Sequence, residues 1–110
     1  MMNAVITRFN PEQAKAFDGG SRAVCGLVPD GETSGPVFHW VRVSKNVTTK
    51  LELDVIKKTF LIFDGQGIFE VDGVEMPVRK GDALWIPQGA HHLVKTAACE
   101  LQYIVVKADQ

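Results

Sequence analysis

Two carboxylates and one ammonium group recur at even spacing in the middle of the chain. Glu52, Asp54 and Lys58 would all project from one face of an unbroken β-strand, because side chains alternate between its two faces. On a buried face the ammonium would pair with the carboxylates, since an unpaired buried charge costs several kcal/mol. We call these three residues the charged trio.

Apolar residues flank the charged trio on both faces of this segment. Leu51, Leu53 and Val55 alternate with the trio, whereas Ile56 shares its face. The pattern therefore leaves open whether the trio lines the interior or faces solvent.

Histidine and tyrosine side chains add candidate groups for proton transfer. His91 and His92 are adjacent, so only one of them can face the interior of a sheet. His39 shares an alternating face with apolar neighbours, which is typical of a core or interface histidine; its alternative role is a pocket-lining acid or base. Tyr103 belongs to another alternating run and is a candidate partner in proton transfer.

Only one segment is predicted to be helical. Asn10 can cap a helix, Pro11 suits its first position and Gly19-Gly20 would end it, which gives about two turns over Pro11–Phe17. The rest of the chain consists of short apolar runs separated by turn residues. This pattern predicts an all-β fold with a short N-terminal helix.

Alternating runs and glycine turns define the predicted strands. Val37–Val43 alternates throughout, and Asp72-Gly73 separates two further alternating runs, which is a strong hairpin signal. Further turns are predicted at Asp64–Gly67 and Pro87–Gly89. Regular strands with such turns predict a β-sandwich or barrel. The expected buried residues are Phe60, Ile62, Phe69, Val71, Leu84 and Ile86.

A segment in the second half of the chain resembles a known family. Gly81 is followed by five residues, Pro87, one residue, Gly89, two residues and His92. This spacing resembles the second motif of the cupin superfamily, and the similarity covers about Val37–Val106. The resemblance implies a small double-stranded β-helix, a jelly-roll-like barrel that holds a ligand or a metal ion. It also implies that His92 occupies the position of an imidazole ligand.

The first cupin motif is altered at every ligand position. Where the family has a glycine, a His-x-His pair and a glutamate, this chain has Asn46, Glu52, Asp54 and Lys58. One interpretation joins Glu52, Asp54 and His92 into a site for a divalent ion such as iron, manganese or zinc. In the other, Lys58 replaces the ion and forms an internal ion cluster with the carboxylates. The lysine favours the metal-free interpretation, because a fixed ammonium would repel the ion.

Length and composition predict one domain of ordinary globular type. The chain has 110 residues, 12 of them basic and 13 acidic, with a net charge of −1. It has no basic stripe and no long apolar segment, which argues against nucleic-acid binding and against a membrane span. The N-terminus lacks the pattern of a secretory signal and the two cysteines are isolated, so a cytoplasmic location is expected. Residues 1–36 are expected to form an N-terminal extension packed on a cupin barrel of residues 37–110.

A stripe of large side chains predicts self-association. Phe38, Trp40 and Arg42 occupy the face of Val37–Val43 opposite His39. Aromatic residues and arginine are enriched at interfaces, so the stripe suits a two-fold homodimer. Ordinary packing against a second sheet is the alternative.

Three functions are compatible with these features. The first is a metal-free pocket that binds a small polar metabolite, lined by Glu52, Asp54, Lys58, His92 and His39. The second is a metal-independent isomerase or epimerase with His92 as base and Lys58 or Tyr103 as its partner. The third is a metal-dependent oxygenase or lyase. The sequence leaves open whether the protein is an enzyme, and a cofactor is expected only for the third function.

Overall fold

The computed structural model describes Ala4 and residues 6–8, 14–27 and 37–107. Nine β-strands and one 3₁₀ turn at Asp18–Gly20 lie within these residues, and every strand pair is antiparallel. The strands are β1 (Lys15–Phe17), β2 (Arg22–Gly26), β3 (Val37–Val43), β4 (Glu52–Leu53), β5 (Lys58–Val71), β6 (Val74–Arg79), β7 (Ala83–Ile86), β8 (His91–Lys95) and β9 (Leu101–Lys107).

Strand β5 belongs to two sheets. The first sheet has the order β1-β2-β3-β9-β5-β7, and the second has the order β4-β8-β5-β6. β5 pairs with β9 as far as Gly65 and with β6 from Gln66 onward, with a bulge between Ile62 and Asp64. The two sheets therefore form one curled all-β structure, consistent with a double-stranded β-helix.

Alternating side chains from both sheets form a single hydrophobic core. Five of the six residues predicted to be buried are buried, and the sixth, Leu84, is half-buried and packs against the core. The five are Phe60, Ile62, Phe69, Val71 and Ile86. The period-two pattern is confirmed because each of these strands turns one face to the core.

Two of the predicted turns are confirmed. Asp72 and Gly73 have φ angles of 48° and 83°, the two positive values that a type I′ hairpin turn requires. Pro87–Gly89 also forms a turn, closed by the Ala90 N–H donating to the Pro87 carbonyl. Both turns begin or end strands of the second sheet, and the second turn leads directly into His91 and His92.

The predicted turn at Asp64–Gly67 is wrong. The segment continues β5 across the junction of the two sheets. Gly65 has a φ of 78°, and a Cβ atom on it would overlap the Glu100 carbonyl oxygen of the neighbouring chain segment. The glycine therefore permits a close backbone approach rather than a chain reversal.

The predicted N-terminal helix is also wrong where it can be compared. Residues 11–13 lie outside the described residues, but Lys15–Phe17 is β1 and pairs with Arg22–Val24 of β2. A helix of two turns is marginal by itself, whereas a strand gains hydrogen bonds from its neighbour. Within the described residues there is no α-helix, and hence none that is long and apolar enough to cross a membrane.

Candidate functional site

Two rows of inward-facing side chains meet at one end of the barrel. In the first sheet, Lys58 of β5 lies directly opposite Lys107 of β9. In the second sheet, Glu52 of β4 lies directly opposite His92 of β8. Lys58 is two residues from the buried Phe60 and shares its face, so the lysine row faces the interior.

The two rows line a cavity of about 230 Å³. Lys58 and Lys107 contribute its basic side, and Glu52 and His92 contribute the opposite side. Arg22 of β2 and Tyr103 of β9 add a guanidinium and a phenol, and apolar side chains complete the wall. The cavity therefore combines charged groups of both signs with an apolar lining, as small-molecule sites commonly do.

Asp54 lies beneath this cavity and connects its two sides. Its side chain is fully buried, with Oδ2 2.6 Å from His92 Nδ1 and Oδ1 2.8 Å from Lys58 Nζ. The lysine contact is an ion pair without the alignment of a hydrogen bond, whereas the histidine contact is a hydrogen bond. The backbone of Asp54 is held by Ala90 and Gly89 through hydrogen bonds of 2.8 and 2.7 Å. The turn of the second motif thus positions the central carboxylate.

The His92 ring is held in one orientation by aromatic packing and by Asp54. It stacks on Phe69 at 5.9 Å between ring centroids and meets the edge of Phe60 at 5.4 Å. An ionised carboxylate can only accept, so Nδ1 donates to Asp54. Nε2 then lies 3.7 Å from Glu52 Oε2, on the cavity side. The ring is therefore oriented with Nε2 toward the cavity.

The charged trio turns inward although its strand is interrupted. The trio does not lie on one unbroken strand. β4 ends at Leu53, the chain bends at Val55 and Ile56, and β5 begins at Lys58. Leu53 and Val55 are exposed, as is Leu51. The bend carries Lys58 back over Asp54, so these two side chains approach more closely than an extended strand would allow.

Asn46, at the position where the resemblance implies a glycine, adopts a backbone conformation that favours glycine. Its φ angle is 57°, in the left-handed region, where asparagine is tolerated better than most residues. The altered first motif therefore keeps its turn while its ligand positions have changed.

Burial changes the pKa values of three groups around the cavity. Burial raises the pKa of the Tyr103 phenol, which stays neutral and packs against Phe60. Burial lowers the pKa of Lys107, and the neighbouring Lys58 lowers it further. Burial also lowers the pKa of His39, with Lys107 adding a smaller effect. Both basic groups are therefore biased toward their neutral forms.

The structure brings most of the predicted site residues together. Glu52, Lys58, His92 and Tyr103 line the cavity, and Asp54 contacts two of them. His39 is half-buried on β3 and is not among the residues that line the cavity. Its predicted place in the pocket remains a prediction.

Sequence reasoning missed two basic residues of the cavity. Lys107 continues the alternating face of Leu101, Tyr103 and Val105, so the period of β9 could have revealed it. Arg22 carried no comparable signal. It donates to Glu52 at 3.2 Å across a separation of 30 residues, from strand β2, which pairs with β3 in the first sheet.

Comparison with known proteins places this fold in a well-defined class. No protein-family model and no curated protein sequence matches the chain. Among solved structures, a protein from Photorhabdus luminescens is similar with a TM-score of 0.84 and 19% identity, covering 99% of this chain and 90% of its own. A Cupin 2 conserved barrel domain protein from Salinispora arenicola gives 0.80 and 20%, covering 97% and 91%.

A third similar structure is described as an RmlC-like cupin with a double-stranded β-helix fold. It comes from Methanocaldococcus jannaschii and gives a TM-score of 0.75 at 15% identity, covering 98% of this chain and 92% of its own. The chain therefore has the fold of the cupin superfamily, as the second motif suggested. Similar structures also include a polyketide cyclase, a DMSP lyase and a salicylate dioxygenase, so the shared fold does not select one reaction.

The residues at the altered first motif do not fit a metal ion. A divalent ion at this place would have to displace the Lys58 ammonium from Asp54, and a lysine left buried and unpaired is costly. Within the described residues, no group of three or more His, Cys, Asp or Glu side chains is arranged to hold a metal ion. The arrangement is instead an internal ion cluster in which the lysine supplies the positive charge.

Proposed function

We propose that this cupin-fold protein binds a small polar metabolite in the barrel cavity without a metal ion. The observation that carries the proposal is the cavity of about 230 Å³ with charged groups on opposite walls above the Asp54 ion cluster. A volume of this size suits a small metabolite rather than a drug-sized molecule. The ion cluster supports the metal-free part, because its positive charge comes from a side chain.

Ligand screening with paired variants tests the pocket. A library of small polar metabolites is screened by thermal shift, and binding is then followed in the NMR spectrum of the His92 ring. We expect Glu52→Gln to change the affinity of a ligand, because Glu52 lines the cavity. Glu70→Gln is the matched control, since Glu70 is also paired with a basic residue but is not among the lining residues. Equal effects of the two variants would contradict the proposal.

Elemental analysis tests the metal-free part. The protein as purified is expected to contain no stoichiometric transition metal, because Lys58 takes the place of the ion. Combining Lys58→Glu with Glu52→His and Asp54→His would rebuild the ligand types of the family motif and is expected to create affinity for a divalent ion. About one iron, manganese, nickel or zinc per unmodified chain, bound through His92, would show the proposal to be wrong.

A second candidate function is acid–base catalysis of an isomerisation or epimerisation. The 2.6 Å contact of His92 Nδ1 with Asp54 favours it, because a carboxylate partner holds a histidine ring in one orientation. Nε2 then faces the cavity and can accept a proton from a bound ligand. The neutral Tyr103 phenol lines the same cavity and can return a proton to the ligand in the second half of such a reaction.

Hydrogen exchange distinguishes catalysis from binding alone. Ligands found by the screen are incubated with the protein in D₂O, and loss of a carbon-bound proton is followed by NMR. His92→Gln is expected to slow exchange by about 10²–10⁴-fold, the usual contribution of a general base. His91→Gln is the matched control, because the adjacent side chain points out of the barrel. Binding without any exchange would leave the protein a binder.

A further inference from the structure

Two lysine side chains share one edge of the cavity but differ in their surroundings. Lys58 and Lys107 are directly opposite each other on β5 and β9, and both line the cavity. The Lys58 ammonium lies 2.8 Å from Asp54 Oδ1 and is held there as the cation of the ion cluster. Within the described part of the chain, the Lys107 side chain has neither an ion pair nor a hydrogen bond. Its amine is therefore available to a ligand.

Burial and the neighbouring positive charges lower the pKa of the Lys107 amine. Burial is the largest influence and lowers its pKa, and the positive charges of Lys58 and Arg22 act in the same direction. Glu52 and Asp54 oppose them, but Asp54 is already paired with Lys58 and Glu52 with Arg22. From β3, His39 faces the same region, and Lys107 lowers its pKa in turn, so His39 brings no additional positive charge near neutral pH.

A lysine amine that is partly buried and lies beside a second cationic group is the arrangement that activates lysine for attack on a carbonyl carbon. We propose that Lys107 forms an imine with the carbonyl group of a small oxo acid held in the barrel cavity. This inference rests on the proposed role of the cavity as a ligand site and names the class of ligand. A carboxylate on the ligand suits the site, because the site carries a net positive charge once the imine is protonated. Its three positive groups are then Arg22, Lys58 and the imine nitrogen, against the two carboxylates of Glu52 and Asp54.

The reaction balances without any oxidant or reductant. The Lys107 nitrogen lone pair forms the C–N bond, the carbonyl π bond breaks, and a proton passes from nitrogen to oxygen to give a carbinolamine. The hydroxyl then leaves with a second proton as water, and the C=N double bond forms. The net change is an amine and a carbonyl becoming an imine and one water. His92 and Glu52 line the same cavity and are the available proton carriers.

Reductive trapping tests the inference on the unmodified protein. The chain is incubated with glyoxylate and sodium cyanoborohydride, which reduces an imine to a stable secondary amine, and the modified lysine is identified by peptide mass spectrometry. We expect Lys107 to be modified severalfold faster than Lys57, which is exposed and serves as the internal control. Lys107→Arg is expected to abolish the fast modification, and Lys57→Arg is expected to leave it unchanged.

Two further measurements separate this inference from the pocket itself. Acetaldehyde, which lacks a carboxylate, is expected to modify Lys107 more slowly than glyoxylate does. Glycolate, which has no carbonyl group, is expected to slow the reaction at Lys107 by competition and to shift the His92 ring signals. If glycolate shifts those signals while lysines are modified uniformly, the pocket stands and the imine is wrong. If glycolate changes neither the His92 signals nor the reaction rate at Lys107, and all lysines are modified uniformly, both the ligand pocket and the imine are wrong.

Discussion

At the scale of single residues, Asp54 is the centre of the site. Its side chain is fully buried, and its two oxygens contact one lysine and one histidine. A buried carboxylate is tolerated only while its partners remain, because desolvation penalises an uncompensated charge. The stability of this end of the barrel therefore depends on Lys58.

Replacing Lys58 with methionine is expected to destabilise the protein. Lys58→Met keeps much of the side-chain volume but leaves the Asp54 carboxylate with His92 alone, and breaking a buried pair in this way costs about 3–5 kcal/mol. Lys57→Met is the control, because Lys57 is exposed next to it and an exposed change costs about 0.5 kcal/mol or less. Denaturant unfolding of both variants measures the difference. Equal losses would show that the ion pair contributes little.

His39 is expected to make the protein less stable in mild acid. Burial lowers its pKa below 6.5, so as the pH falls through this value the unfolded chain gains a proton that folded His39 does not accept. The contribution of His39 to the free energy of unfolding is therefore highest above pH 6.5 and decreases below this pH. His39→Gln removes the titrating group and is expected to flatten the decrease between about pH 7 and pH 5. His91→Gln, on the exposed face, is the control, and identical pH profiles for wild type and His39→Gln would contradict this prediction.

At the scale of secondary-structure elements, the long strand β5 joins the two sheets. It carries the lysine of the site at its start and the buried Phe69 beneath His92 near its end. The bulge near Gly65 lets the strand change partners from β9 to β6 without a break. The two walls of the cavity are thus held at a set distance by one continuous element.

Substitution at this junction is expected to be more damaging than at an ordinary glycine turn. Gly65→Ala would strain a φ angle of 78° and would also push a methyl group into the Glu100 carbonyl. Gly81→Ala is the matched control, because its φ angle is 96° but a Cβ there meets nothing within 4 Å. Backbone strain costs roughly 1–2 kcal/mol at either site. Overpacking is expected to add about 1–3 kcal/mol at Gly65 only. Chemical unfolding of the two variants measures the difference, and equal losses of stability would show that the close approach to Glu100 adds no cost.

At the scale of the whole molecule, the outer face of the first sheet exposes several large apolar side chains. Trp85, Leu61 and Phe38 on this face are 59%, 42% and 37% exposed. The stripe of Phe38, Trp40 and Arg42 lies on this face. Trp40 is half-buried, because its indole N–H donates to Gln102 and its ring packs against Phe63. Exposed apolar surface of this kind favours association with another protein surface.

Self-association through this face is therefore expected. The unmodified chain should behave in light scattering as a species of twice its 12.1 kDa mass at micromolar concentration. Trp85→Lys is expected to return it to a monomer, because a charge would be buried in the middle of the apolar face. Leu53→Lys, on the outer face of the second sheet, is the control and should leave the dimer intact. A monomeric wild type would contradict the prediction.

Much of the barrel follows from the sequence because its signals are local. Period-two alternation predicted β3 to the residue, and the Asp72-Gly73 pair predicted the hairpin, since each pattern depends only on neighbouring residues. The contact of Lys58 with Asp54, by contrast, arises from the bend between β4 and β5 and not from the even spacing of the trio. The spacing of the second motif also predicted the turn that anchors Asp54 and presents His92.

Long-range pairing decided the rest. Asp64–Gly67 has the composition of a turn, yet β9 on one side and β6 on the other hold it as a strand. Lys15–Phe17 was expected to be helical, yet pairing with β2 makes it extended. The inward direction of the charged trio and the entry of Arg22 into the cavity likewise depend on contacts between distant segments. Hydrogen bonds and burial across a sheet outweigh local propensity, and no local pattern records which distant strand will supply them.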